Sequence, residues 1–314
     1  LNGFATSRSR PFAVDAPMTW ASFDLWLTKT PLTLLGLLVL AAMALAIGAG
    51  MALRKATDRR NAARGAPVAE GLEGIMVSAI LGLMALLMGF TFAIVLNRFE
   101  DRRELVLQEA NAIGTVYLRT QLLEEPHRTR ISKLLVEYTD QRIVLAKSAP
   151  GENAFLIARN DRLITQLWAA TMSAYPSIKE PGLASRFLEC MNGMIDLDTS
   201  RKMARGVHVP AEVYFTVFVF LVATALILGY LLVGRRGRVV LGMTVVLLSL
   251  VLIMILDADR PNDGGIREDQ LPMEMLKASL ESLPAGAYEA YRIQDAKAAA
   301  GRGGSQRSQL EGAR

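Results

Sequence analysis

Three short stretches of this 314-residue chain hold residue types and spacings that could do chemistry. The first is Arg98-Phe99-Glu100-Asp101-Arg102-Arg103. On a helix Arg98 and Arg102 lie four apart and share a face, as do Glu100 and Glu104. Such a segment can form a collar of snorkelling ion pairs at a membrane edge. In a symmetric oligomer it can instead form a charged ring at a pore mouth. The second stretch is Gln108-Glu109-Ala110-Asn111-Ala112-Ile113-Gly114. Its small residues let another helix come close, and Asn111 can bond across that contact, so Glu109 and Asn111 read as structural polar groups. The third is Asp257-Ala258-Asp259-Arg260-Pro261, at the end of an apolar run. A carboxylate there is costly unless solvated or paired. Asp257 is therefore expected to pair with the Arg98–Arg103 collar, and Asp259 and Arg260 belong to the same polar group.

No catalytic set accompanies these stretches. The sequence has no Ser-His-Asp order with supporting glycines, no phosphate-binding loop, no dinucleotide fingerprint and no HExxH. Cys190 is the single cysteine, and His127 and His208 are the two histidines, so a His/Cys zinc site is not expected. Glu124 and Glu125 precede Pro126 and suit a helix start better than an acid/base pair. No enzyme, cofactor or metal follows from the sequence. The net charge of +5 comes without any nucleic-acid motif, and the basic residues cluster beside apolar runs. That placement fits anionic lipid headgroups rather than nucleic acid.

The elements that must position these residues are dominated by four apolar runs, in a chain that is 52% apolar. They cover 31–53, 72–96, 211–233 and 239–256. A spanning helix needs about 20 mostly apolar residues, so each can cross a bilayer. The pattern predicts an all-α integral membrane protein with four transmembrane helices and a helical soluble domain inserted between helices two and three. Residues 1–30 form a leader whose Trp20 and Trp26 suit a membrane–water interface, with no cleavable signal peptide evident. In the first span Ala44/Gly48 and Ala46/Gly50 are spaced for close helix approach. A basic loop, 54–71, joins spans one and two, and a basic turn, 234–238, joins spans three and four.

No proline or glycine interrupts Thr91 to Ile113, so the second span is expected to continue as one helix into the domain at 97–210. Within that domain, apolar spacings of three and four predict helices through Ile131–Leu145, over Asn153–Ala174, and from Leu183 toward Arg205. The tail, 257–314, holds a short helix near Pro272–Leu283 and ends in a Gly, Ser, Arg and Gln segment expected to be disordered. The two short loops carry eight Lys or Arg, which alone would place them in the cytoplasm. The central domain is basic at both edges as well, so charge does not decide the orientation.

The same three polar stretches carry a family resemblance. Met88-Gly89-Phe90-Thr91-Phe92, then Arg98 to Arg103, then Glu109 to Arg119 resemble the bacterial bestrophin-like membrane family, whose function is unknown. Met194-Ile195-Asp196 and Asp257 to Pro261 fit it too, whereas Asn192-Gly193-Met194 departs from it, an acidic residue being the more usual middle member. The likeness covers roughly 75–275, with Glu109–Arg119 its most specific part. It implies a distant relation to bestrophins, pentameric anion channels with four spans and a cytosolic helical domain between spans two and three. By that analogy Gly89, Phe90 and Phe92 would line a pore, Arg98 and Arg102 would stand at its mouth, and the central domain would be cytoplasmic. Two functions stay open: a homo-oligomeric ion (anion) channel in the bacterial inner (plasma) membrane, or a non-conducting scaffold or sensor whose helical domain binds a protein partner. Lipid bilayer and other copies of the chain are the expected partners in either case.

Overall fold

A computed structural model describes residues 20–64, 73–148, 153–232, 234–260 and 265–289, with 291, 293 and 294. The described residues contain helices and no strand. In order they are α1 (Trp20–Lys29), α2 (Leu32–Arg64), α3 (Glu73–Thr120), α4 (His127–Lys147), α5 (Asn153–Ala174), α6 (Pro181–Gly206), α7 (Ala211–Leu231), α8 (Gly234–Asp259) and α9 (Leu271–Ser282). The sequence before Trp20, residues 65–72 with the second part of the first loop, the turn after Ser148 and the end of the tail lie outside the described residues. The chain forms two compact units. One runs to Phe92 and includes Val209–Leu256; the other comprises Ala93–His208 and the residues from Asp257 on.

The first unit holds α1, α2, the first half of α3, α7 and nearly all of α8. Helices α2, α3, α7 and α8 carry the apolar windows long enough to cross a membrane, and only 22–39% of each window is buried. Leu45 is 75% exposed and Leu37 64%. Side chains of this kind are at home against hydrocarbon, where they need no partner within the chain. Inside the unit, α2 packs on α7 through small residues. A Cβ at Gly50 would sit 2.1 Å from the Leu226 carbonyl oxygen, and one at Gly229 would sit 2.6 Å from that of Ile47. Ala46/Gly50 is thus the small-residue pair that meets a helix, since a Cβ at Gly48 would touch nothing. Arg54 donates to the carbonyls of Tyr230 and Leu231 at 3.0 and 3.1 Å, satisfying groups left open at the end of α7. Trp20 and Phe23 of α1 stand edge-on to Phe215, with ring centroids 5.6 and 6.3 Å apart.

Two boundaries differ from the sequence expectation. Helix α2 runs eleven residues past Leu53 into the segment read as a loop, because nothing before Gly65 breaks it. Arg54 and Asp58 support it as an i,i+4 ion pair at 3.7 Å. The basic turn at 234–238 is instead the first turn of α8, with Gly234 at φ +83 supplying the reversal that a side chain would oppose.

The second unit is a helical bundle. Val106, Ala110, Ile113 and Tyr117 of α3 face Ile131, Leu135 and Tyr138 of α4, Leu163 and Leu167 of α5, and Phe187, Met191 and Met194 of α6. Met273 and Leu280 of α9 close the core. A Cβ at Gly114 would come within 3.4 Å of Leu276, so the small residue there lets α9 approach α3. The start of α4 uses Glu125 as expected: its carboxylate accepts from the Thr129 N–H at 3.2 Å and pairs with Arg128 at 2.8 Å.

Candidate functional site

Helix α3 carries most of the residues singled out above, and its two sides differ sharply. The buried side holds Met84, Met88, Thr91, Val95, Arg102, Val106, Glu109 and Ile113, spaced by threes, fours and a seven. The opposite side is exposed along its whole length. At 100° per residue, Gly82, Gly89, Leu96, Glu100, Leu107 and Asn111 fall on one line of that exposed side. Phe90 is 62% exposed beside this line, and a Cβ at Gly89 would meet nothing. Phe92 is half-buried. Asn111 is exposed, so within a single chain it does not bond across the bundle.

The two arginines expected at a pore mouth turn into their own unit. Arg98 donates to the carbonyl of His208 at 2.6 Å. Arg102 is 3% exposed, donates to the carbonyl of Ala258 at 2.9 Å, and has Glu268 at 3.3 Å. The acid that meets the collar is therefore Glu268 and not Asp257. Asp257 accepts from the N–H groups of Gly265 and Ile266 at 2.7 and 3.1 Å and so holds the segment that follows α8. Asp259 is buried and lies against His208, whose Nδ1 is 3.2 Å from the Asp259 carbonyl oxygen and 3.9 Å from its carboxylate. Arg260 is buried next to it in sequence, at 7% exposure. The charges left on the exposed side of the collar are Glu100, Asp101, Arg103 and Glu104.

Below the collar lies a buried ionic network that the sequence reading touched only at Glu109. Glu109 is fully buried and receives the Tyr138 hydroxyl at 2.5 Å, Arg201 Nη1 at 2.5 Å and Arg142 Nη2 at 3.0 Å. Arg142 also donates to Asp198 at 3.0 Å, and Asp198 receives Asn160 at 2.8 Å and Lys202 at 2.6 Å. Lys202 bridges outward to Asp161 at 2.6 Å. Arg201 reaches Gln270 at 3.4 Å, just before α9. Burial above all, then the Glu109 charge, pushes the Tyr138 phenol well above its usual range. For Arg142, burial works against the charged form, but Glu109, Tyr138 and Asp198 outweigh it and the guanidinium is held more firmly protonated.

Arg142, Asp198 and Asn160 drew no attention in the sequence. The available signal was the polar content of the buried stripe of α4, where Tyr138 and Arg142 are four apart, and the Asp198/Arg201/Lys202/Arg205 spacing on α6. Chemically the network offers a fixed, charge-matched joint between four helices. Its one hydroxyl, that of Tyr138, is fully buried against Glu109, and among the described residues no three of His, Cys, Asp and Glu converge as a metal site. In the first unit an apolar groove of about 350 Å³ between α1, α2, α7 and α8, lined by Phe23, Trp26, Leu35, Phe218 and Leu252, presents almost no polar surface.

Comparison with known proteins bears on this geometry. The family model for the bestrophin-like domain matches residues 39–269. Two mutant forms of a bacterial bestrophin homologue from Klebsiella pneumoniae, both crystal structures, are similar at 15% identity, over 80% of this chain and 98% of theirs. Their TM-scores are 0.54 and 0.49. At that identity the first match speaks for the fold alone. No curated protein matches the chain.

Proposed function

The chain belongs to the bestrophin-like family, and from that premise we propose that it is a homo-oligomeric ion channel of the bacterial inner membrane. In this reading α2, α3, α7 and α8 span the bilayer. Residues 93–208, with the segment after α8, form a helical domain inserted between the second and third spans, on the cytoplasmic side. Copies of α3 surround the conducting axis.

One observation carries the reading: the exposed line of α3. Its apolar window is the least buried of the four, at 22%, and Gly82, Gly89, Leu96, Glu100, Leu107 and Asn111 present one uninterrupted face. A face that runs from apolar through charged to polar is ill-suited to lipid over its whole length. It suits a lumen shared with other copies, where Gly82 and Gly89 leave width and Phe90 flanks a constriction.

The expectation of anions comes with the likeness to bestrophins, which places Arg98 and Arg102 at the pore mouth. Both turn inward, and the collar exposes three carboxylates, Glu100, Asp101 and Glu104, against Arg103. A ring of such segments concentrates cations. We therefore assign the mouth a preference for cations.

Purified protein in planar bilayers tests this. Under a salt gradient we expect a current reversing toward the cation potential, and Glu100→Lys with Glu104→Lys should move that reversal toward the anion potential. Protein that runs as a monomer in detergent, or passes no current under any gradient, would refute conduction and leave the scaffold reading.

A further inference from the structure

We propose that the apolar groove between α1, α2, α7 and α8 holds one acyl chain of a bilayer phospholipid, clamped against the spans by α1. Every lining residue belongs to the first unit, so the groove is complete within it. The inference needs a bilayer around the chain but no conduction through it.

Local sequence builds the clamp. Phe23, Trp26 and Leu27 are three and four apart and so share one face of α1, which is the face that lines the groove. Phe23 stacks on Trp26 with ring centroids 5.8 Å apart, and its edge contact with Phe215 ties α1 to α7. The Thr30 hydroxyl closes the end of α1 by donating to the Trp26 carbonyl at 2.6 Å, and α2 starts two residues later. With Trp20, Trp26 and Lys29, α1 has the make-up of a helix that lies in the membrane–water interface.

The other walls come from one end of each span. Helix α2 contributes Leu35 to Ala42, soon after its start at Leu32. Helix α7 contributes Tyr214 to Phe218, soon after Ala211, and α8 contributes Leu252 and Leu256, just before its end at Asp259. At 1.5 Å per residue the α2 wall is about 10 Å long. The groove therefore takes up about the outer third of a ~30 Å hydrocarbon core, beneath the interface that α1 suits. Acyl chains enter the core at this level.

Chemistry selects the occupant. The groove presents almost no polar surface, so water gains nothing there for want of polar partners. A peptide segment would carry N–H and C=O groups that the lining cannot satisfy. A hydrocarbon chain asks for no partner and gains contact with Leu35, Val39, Phe218 and Leu252. An apolar cavity of ~150 Å³ accepts benzene, so about 350 Å³ has room for roughly a dozen carbons, most of one acyl chain. A second copy fits less well, because no lining residue comes from α3, whose exposed line faces the other copies in the assembly proposed above.

The test uses the full chain in phosphatidylcholine vesicles containing a phosphatidylcholine with a diazirine midway along one acyl chain. The protein is extracted into detergent, exchanged until free lipid is gone, irradiated and mapped by peptide mass spectrometry. One phospholipid per chain should survive the exchange and label the groove walls on α1, α2, α7 and α8. Leu38→Trp fills the groove from a position that is 45% exposed. It should cut the retained phospholipid at least about tenfold, since the burial of roughly two methylene groups is worth a factor of that size. Leu37→Trp, 64% exposed and outside the groove, should retain the phospholipid in full. If the variants do not fold, the labelling pattern of the unaltered chain decides. Complete exchange for detergent, label confined to other faces of the spans, or equal loss in the two tryptophan variants would each overturn the proposal. A second copy seated in the groove would shield its walls from the label and overturn it equally.

Discussion

Replacing Glu109 by glutamine tests the ionic joint most directly. The change keeps the shape and removes one charge. In the unaltered chain Glu109 is fully buried and meets Arg142, Arg201 and the Tyr138 hydroxyl, with contacts of 2.5 to 3.0 Å. After the change two guanidiniums keep full charge with Asp198 as the one carboxylate near Arg142. Breaking a buried pair by removing one partner costs about 3–5 kcal/mol, since the remaining charge stays in a poor solvent. For a domain of this size each kcal/mol lowers the midpoint by about 2–4 °C, so a fall of roughly 6–20 °C is expected. The amide also forces a choice, because its NH₂ cannot accept from an arginine. Arg142→Gln in the same chain removes one stranded charge and should return part of the loss, with a coupling of about 1–3 kcal/mol in a double-mutant cycle. Thermal melts of the full chain in detergent, followed by circular dichroism, give both quantities. A single Glu109→Gln variant melting within about 1 °C of the unaltered chain would refute the idea that this network holds the bundle together.

Two further predictions follow from the geometry. Gly50→Ala places a methyl 2.1 Å from a backbone oxygen of α7, which must move because backbone cannot rotate away; a cost of about 1–3 kcal/mol is expected, read as lost yield of folded protein on size exclusion, while Gly48→Ala, facing open space, should be silent. Tyr138 sets an alkaline limit. Its folded pKa lies well above the unfolded value of about 10, so the stability it gives is complete below pH ~10 and is lost as pH rises from there through the folded pKa. In that window stability should fall by up to about 1.4 kcal/mol per pH unit more than in Tyr138→Phe, and identical alkaline slopes in the two proteins would contradict the assigned burial.

Much of the fold was legible because lipid and helix periodicity leave plain marks. Asn153–Ala174 emerges as a helix between the breakers its ends suggest, and α3 runs unbroken through Thr91–Ile113 for want of any residue to stop it. The end of α2 was not legible in the same way. Arg54, Lys55 and Arg59 read as loop because they are charged, although a charged segment without Gly or Pro extends a helix as readily as it leaves one. The network around Glu109 was hidden for a different reason. Its partners Arg142 and Arg201 lie 33 and 92 residues away, on helices whose apolar stripes were read as simple core. No local spacing reports which faces of three helices meet.

The collar shows where composition misleads about function. Counting charges from Arg98 to Arg103 gives three basic residues against two acidic ones. Helix geometry reverses that sum. Arg98 and Arg102 lie on the inward side with Val95, Val106 and Glu109, and each is held there, by the carbonyl of His208 or by Ala258 and Glu268. What remains outward is Glu100, Asp101, Arg103 and Glu104, of which Glu100 lies in line with Gly89 and Leu96. A passing ion responds to the charges it can reach through water, and those buried behind a helix are offset by their own partners. The same inward turn that withdraws Arg102 from the exposed face of α3 brings it against Arg205 with a single shared carboxylate, Glu268. One helix thus separates two electrostatic tasks by about half a turn: an acidic outer line that can attract cations, and an inner line whose arginines are held by the carbonyls of His208 and Ala258 and by Glu268.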